Sequence, residues 1–437
     1  MKKNRMQHLL QYVFPAIVGQ VAFFLFTIVD GIFIGRGVGG NAIGAINIVN
    51  PFIMIVNALY LLITIGGSAI VAVRHGRGDN EGANHAFMHS FVLMIGLGIV
   101  LTIIGTVFTT PVGRLLGAND VYIGYVTDYL FWYSAFIIPS SLAILFQFFC
   151  RNDGSPNLVM IAMIASSALN VFLDWLFVFP MQKGVAGAAI ATGISQTFSF
   201  LILATHFVFH KGELRICRFK WEKVLLGKIF IRGIPETLAQ FATSMATLWM
   251  NIVLIHKLGE MAVNVFGVIG YMVSFATAIF LGISEGAQPL FGQSYGEKND
   301  PDLHFYFRSS CLIGVIGSAV VYVALLLTSS LFSRLFVSDQ AIIDYVVKVI
   351  PAYASGFLII PLNTLISTYL YSTKRTTQAI VLNTLRSFVF TTASILILPN
   401  VLGTSVIWFT FVIYEALSLI VGIILIKTSE KNGVVYR

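Results

Sequence analysis

Apolar residues run through this chain in long blocks, separated by short polar stretches. Twelve blocks are long enough to be helices that cross a bilayer. They fall at roughly 12–35, 51–73, 87–109, 123–149, 157–179 and 185–209, then at roughly 233–255, 265–291, 307–329, 342–371, 378–399 and 404–426. A hydrocarbon core takes about 20 apolar residues per helix. The pattern therefore predicts an all-α integral membrane protein.

The blocks also repeat. A shift of 220 residues lays Pro15 on Pro235, Gln20 on Gln240, Gly39 on Gly259, Gly66 on Gly286 and Gly76 on Gly296, without a gap between them. Six spans per half is an even number, so both halves enter the membrane from the same side. This predicts two six-helix bundles related by a pseudo-twofold axis along the membrane normal, the plan of a secondary transporter with parallel repeats. The expected divisions are 1–209 for the N-lobe, 210–228 for a basic cytoplasmic linker and 229–437 for the C-lobe. The linker region interleaves Lys211, Arg215, Arg218, Lys220 and Lys223 with Leu214, Ile216, Phe219 and Trp221. It reads as a solvated or interface-lying strand that touches anionic headgroups.

Composition sharpens this picture. Only 11% of residues are charged against 57% hydrophobic, too few charges to cover a water-soluble globule. The net charge of +8 is explained by topology rather than by nucleic acid. With the N-terminus inside, 20 of the 27 Lys and Arg lie on cytoplasmic segments; Arg36, Arg114, Lys183, Lys257 and Arg334 lie outside, and Lys348 and Arg386 within spans. That asymmetry predicts cytoplasmic termini and a multi-pass protein of the cell (inner) membrane. Lys2, Lys3 and Arg5 precede a first span too long for a cleaved signal sequence. Cys150, Cys217 and Cys311 all fall near the cytoplasmic side and imply no disulfide framework. The loops carry no GxxxxGK[ST] motif and no DDxxD, so neither a direct ATP drive nor a diphosphate enzyme is expected. The reading is of a non-enzyme with no cofactor, drawing on an ion gradient.

Charges at bilayer depth cost about 2.5–3.5 kcal/mol each on insertion scales and persist with a partner or a task. The deep acids are Asp30, Asp174, Glu285 and Glu415; Arg386 is the deep base. Asp30 and Asp174 each sit about five residues from the outer end of an outward-running span, and Thr192 about seven into an inward-running one. At about 1.5 Å per residue all three share one depth, and Asn170 lies on the same face as Asp174. Such an oxygen cluster could hold Na⁺ or let two acids share a proton. The 220 shift lays Asp30 on Met250, Asp174 on Ser394, Glu285 on Ile65 and Arg386 on Ser166, so the lobes divide these charges between them. Glu285 and Arg386 also agree in depth, and are expected to pair or to line an inward-facing cavity with Gln288. Glu415 has no nameable partner. Asp344 and Lys348 read as a local pair, and Glu236, after Pro235, as a helix-start acid. The 37 Phe, 16 Tyr and 12 Met offer soft surfaces for flat cationic molecules.

Four stretches resemble the multidrug and toxic compound extrusion (MATE) family: Val29-Asp30-Gly31-Ile32-Phe33-Ile34-Gly35, Asn170-Val171-Phe172-Leu173-Asp174, Gly282-Ile283-Ser284-Glu285-Gly286-Ala287-Gln288-Pro289-Leu290, and Gly292-Gln293-Ser294-Tyr295-Gly296. The resemblance spans essentially the whole chain. It implies an antiporter that exports organic cations against entry of H⁺ or Na⁺ by alternating access, works as a monomer and confers drug resistance. It also implies a cation-coupling site at Asp30, Asn170, Asp174 and Thr192. The family's further acid on the tenth span is not carried over, since that span offers only Asp344 near its outer end. The competing expectations are a lipid-linked oligosaccharide flippase and a narrow-specificity metabolite exporter of the same two-bundle plan.

Overall fold

The computed structural model describes residues 4–38, 40–337 and 339–431. Gly39, Lys2 and Lys3 lie outside them. Among the described residues the chain is helical with no strand. Eleven helices are long and apolar enough to cross a membrane, and the span expected at 123–149 is a twelfth, bent by 52° between its two halves.

The first eight helices are α1 (Arg5–Gly37), α2 (Gly40–Gly76), α3 (Asn80–Val107), α4 (Thr109–Leu115), α5 (Ile123–Ala135), α6 (Ile137–Asn152), α7 (Pro156–Val178) and α8 (Gly184–Val208). After the linker come α9 (Lys223–Lys257), α10 (Glu260–Gly296), α11 (Asp300–Arg334), α12 (Gln340–Ala354), α13 (Ile360–Ser372), α14 (Thr376–Thr384), α15 (Thr391–Val401) and α16 (Thr410–Lys431). The 220-residue offset seen in the glycines governs the helix ends as well. α2 and α10 keep it at both ends, α3 and α11 at their starts, and α6 and α13 at their ends.

Turn chemistry follows the same register. Asp79 caps α3 by accepting from the Gly82 N–H at 2.9 Å, and Asn299 caps α11 by accepting from the Asp302 N–H at 3.2 Å. Each side chain satisfies one of the orphan donors of a helix start. The turn before each cap needs a left-handed residue, Gly78 at φ 71° in one half and Lys298 at φ 58° in the other. The backbone of the repeat has outlasted its side chains.

Two compact units emerge: Val18–Gly233, and Met1–Ile17 together with Ile234–Arg437. Their limits fall inside α1 and α9, not at the linker ends near 209 and 229. The reason is close packing. In the first unit, a Cβ on Gly66 would strike the Ile229 carbonyl, and one on Gly233 the Leu62 carbonyl, so the start of α9 lies against α2. In the second unit, a Cβ on Gly286 would stand 2.6 Å from the Val13 Cα, and one on Gly282 would meet Ile17, so the start of α1 lies against α10. Each half lends the first turns of its leading helix to the other. Pro15 and Pro235 sit within these helices near the crossover, where a missing N–H loosens the ladder.

Glu236 is consequently not at a helix start. It lies in the interior of α9, because the helix runs unbroken past Pro235 from Lys223. The linker also differs from a freely solvated strand. Asp153 accepts from the N–H groups of Glu213 and Leu214 and pairs with buried His206 at 2.7 Å, and Asn84 accepts from the Arg215 N–H at 2.7 Å. These bonds fasten residues 213–215 to the first unit. Cys150, Cys217 and Cys311 are free thiols.

The glycine crossings give a direct test. Gly286→Leu should lower the melting temperature of the detergent-purified protein sharply, since overpacking against backbone costs about 1–3 kcal/mol or more. Gly267→Ala, on the same helix with open space at its Cβ, should leave it unchanged.

Candidate functional site

In the first unit, α1, α7 and α8 converge on one polar cluster. Small residues allow the approach: Gly19 of α1 faces the Met163 thioether, and Gly37 faces the Val178 side chain of α7. α7 and α8 pack along their length, so Asn170 reaches across to donate its amide to the Thr192 hydroxyl at 3.3 Å. One turn on, Asp174 is fully buried. Its carboxyl lies within hydrogen-bonding reach of both Asp30 and the Asn170 amide. The structure thus brings together all four residues that depth had grouped: Asp30, Asn170, Asp174 and Thr192. The buried Tyr129 of α5 stands within electrostatic reach of both carboxyls.

The cluster is short of protons. Asp30 Oδ1, both carboxylate oxygens of Asp174 and Asn170 Oδ1 are buried without a well-placed donor. Carboxylates accept only, so two of them in contact need something positive between them. A shared proton meets that need, and so does a small hard cation held by carboxylate, amide and hydroxyl oxygens. Among the described residues no group of three or more His, Cys, Asp or Glu side chains is placed to hold a metal ion.

The second unit holds a different centre. The expected pairing of Arg386 with Glu285 does not form. Arg386 instead donates through Nε at 3.0 Å and Nη2 at 2.7 Å to one oxygen of Glu415, whose other oxygen accepts from Asn363 at 2.6 Å. Arg386 sits in a π-helical segment, Leu385–Phe390, where its carbonyl accepts from both the backbone N–H and the hydroxyl of Thr391. One extra residue in a turn rotates every side chain beyond it. Depth alone does not report that rotation.

Asn363 is the residue that sequence reasoning misses here; Glu415 is named from the sequence without a partner, and Glu236 is read there as a helix-start acid. Glu236 lies within electrostatic reach of Glu285 and Arg386, and the buried Tyr371 within reach of Glu236 and Glu285. Next to Glu285, the Ser284 and Thr368 hydroxyls join α10 to α13 at 2.6 Å. Gln288 is buried one turn further, and its amide nitrogen and oxygen find no partner. Asp344 accepts from Gln340 at 2.8 Å, a local contact near the start of α12. An Asn in so apolar a span as α13 was the available signal for Asn363.

Comparison with known proteins places this geometry. The MatE family model matches residues 15–176 and again 235–396, two ranges that are themselves 220 apart. The multidrug export protein MepA of Staphylococcus aureus (strain MRSA252) is 25% identical over 425 residues, covering 96% of this chain and 92% of its own. MepA of Staphylococcus haemolyticus (strain JCSC1435) is 27% identical over 293 residues, covering 66% and 64%. Among solved structures, an outward-facing multidrug resistance MATE family transporter of the MOP superfamily superposes with a TM-score of 0.92 at 24% identity, covering 98% of both chains. A MOP superfamily transporter from Pyrococcus furiosus, described as having a binding pocket of reverse polarity and a different function, superposes at 0.90 with 24% identity, covering 98% of this chain and 96% of its own.

The buried ion pair yields a stability prediction. Glu415→Gln leaves Arg386 without its counter-charge and should destabilise the protein by about 3–5 kcal/mol. The double variant Arg386→Met/Glu415→Leu should recover most of that loss in the same thermal unfolding assay.

Proposed function

The chain belongs to the MatE family of membrane transporters, not of enzymes, and on that footing we propose that it exports lipophilic or cationic small molecules in exchange for H⁺ or Na⁺. The observation that carries the reading is the pair of facing carboxyls, Asp30 and Asp174, whose buried oxygens lack donors. An empty, doubly ionised pair is costly in an apolar bundle. Entry of one proton or one Na⁺ satisfies it, draws α1, α7 and α8 onto the bound ion, and thereby ties ion occupancy to the packing of this unit. Asn170 and Thr192 complete the oxygen shell. Alternating access then couples ion entry to release of the exported molecule.

In the second unit the deep charges are Glu236, Glu285 and Glu415 against Arg386, and Arg386 is engaged with Glu415. A surplus of acid suits cationic substrates and disfavours the phosphates of a lipid-linked oligosaccharide, which call for clustered base. Glu285 and Gln288 are assigned to substrate contact, and Arg386 with Glu415 to holding the bundle. The names of the MepA relatives agree with multidrug export. The charge asymmetry of the loops supports a cell-membrane protein with both termini inside; the proposal further takes it to work as a monomer with no cofactor beyond the coupling ion.

The test is ethidium efflux from energised vesicles, with a pH gradient and a Na⁺ gradient imposed separately. One gradient should drive efflux, and Asp30→Asn and Asp174→Asn should each reduce it to the background leak. If H⁺ is the ion, efflux rises as the side from which protons enter is made more acid. Wild-type efflux in both variants would falsify the coupling site. Absence of efflux under either gradient, with the protein correctly inserted, would favour a narrow-specificity exporter.

A further inference from the structure

Away from the charged clusters, the first unit carries a groove of 380 Å³ between α2, α3 and the start of α9. Its walls are almost wholly apolar: Leu62 of α2, Leu93 and Gly96 of α3, Phe230 of α9, and Trp221 from the linker. A compact polar solute would find nothing there to orient it. Gly96 is what opens the wall, since a Cβ at that position would meet no atom within 4 Å.

One end of the groove has a different chemistry. Trp221 closes it, 55% exposed, in the run Arg218-Phe219-Lys220-Trp221-Glu222-Lys223. Arg218, Lys220, Lys223 and Lys228 are all exposed around it, with Glu222 the only acid between residues 218 and 228. An exposed Trp on loose chain would be unremarkable, but this one is held. The backbone N–H of Glu222 donates to His89 Nε2 at 3.0 Å, while His89 Nδ1 stands 2.8 Å from the His85 carbonyl. A carbonyl only accepts, so Nδ1 bears the hydrogen and Nε2 the lone pair. His89 is buried, and the Phe219 ring packs 4.9 Å from it and 6.0 Å from Trp221. The linker is thus built to keep an amphipathic ring over an apolar slot with ammonium groups beside it.

An apolar slot, an aromatic ring at its mouth and a ring of lysines form the layered chemistry of a phospholipid at the cytoplasmic boundary. We propose that this groove binds one acyl chain of an anionic phospholipid, with Lys220 and Lys223 holding the headgroup phosphate and Trp221 packed on the upper chain. The charge complementarity selects a lipid over a neutral apolar solute, and the volume lies within the range of small-ligand sites.

The experiment uses the full-length protein in nanodiscs of phosphatidylcholine, with either phosphatidylglycerol or phosphatidylcholine brominated on the acyl chain titrated in. The protein has five Trp, and the Trp221→Phe variant isolates the Trp221 signal. Brominated phosphatidylglycerol should quench that signal saturably and at lower mole fraction than brominated phosphatidylcholine. Each of Lys220→Gln and Lys223→Gln should weaken the preference about fivefold, the effect of one basic residue near an anionic surface. Gly96→Leu, whose Cβ would enter open space and whose side chain would occupy the slot, should abolish the saturable component while leaving the charge in place. Equal quenching by both lipids, or a preference untouched by the lysine variants, would show an ordinary lipid-facing surface and overturn the proposal. So would saturable quenching that survives Gly96→Leu. The readout is binding and stands whether or not transport is ion-coupled.

Discussion

A carboxylate buried in an apolar bundle must find a donor or a counter-charge, because neither lipid nor a hydrocarbon core supplies one. The two units meet that demand in opposite ways. In the second, Glu415 is satisfied internally: one oxygen takes two bonds from Arg386 and the other takes the Asn363 amide. Nothing mobile is required, and the network holds α13, α16 and the π-helical segment to one another. In the first, Asp30 and Asp174 face each other beside the Asn170 amide, the Thr192 hydroxyl and the buried Tyr129. A closed network is complete in itself, and the open one is what the proposed coupling site rests on.

The repeat makes the contrast sharper. Helix ends, caps and left-handed turn residues hold the 220-residue register, yet the charged positions of one half are apolar or hydroxyl-bearing in the other. Ser166 and Ser195 stand where the second half has Arg386 and Glu415, and both hydroxyls donate to carbonyls of their own helix, at 3.0 and 2.7 Å. Such a serine needs no partner from a neighbouring helix. Met250, in the position of Asp30, is buried and met by the Thr410 hydroxyl at 3.7 Å. Backbone geometry constrains both halves alike, whereas a deep charge needs a specific neighbour, so charges diverged while turns and crossings did not.

The same distinction explains what was legible in the chain. Span positions, the repeat and the grouping of Asp30, Asp174 and Thr192 follow from hydropathy and from a fixed rise per residue, and the spacing of Asn170 and Asp174 adds a shared face. Those quantities are one-dimensional. The partner of Arg386 was not legible, because depth carries no information on which way a side chain points, nor on the π-helical turn at Leu385–Phe390 in which it sits. Pro235 misled for a related reason. Proline favours a first helical turn, but here α9 passes straight through it, held by the glycine contact of its opening turns with α2. The linker's composition described a solvated strand accurately enough, while its tethering by Asp153, Asn84 and His89 depends on residues 60 to 133 positions away.

The likeness to the transporter from Pyrococcus furiosus limits what fold can say about cargo. Two chains that superpose almost throughout, one of them described as having a pocket of reverse polarity, need not carry the same class of molecule. Substrate charge is set by a handful of deep side chains on a shared backbone. In the reading proposed for this chain those side chains are Asp30 and Asp174 in one unit and Glu236, Glu285 and Glu415 in the other, against Arg386. Arg386 is already committed to Glu415, and among these named residues the acids outnumber the bases. On the proposed reading, that excess of acid favours a cationic cargo over an anionic one.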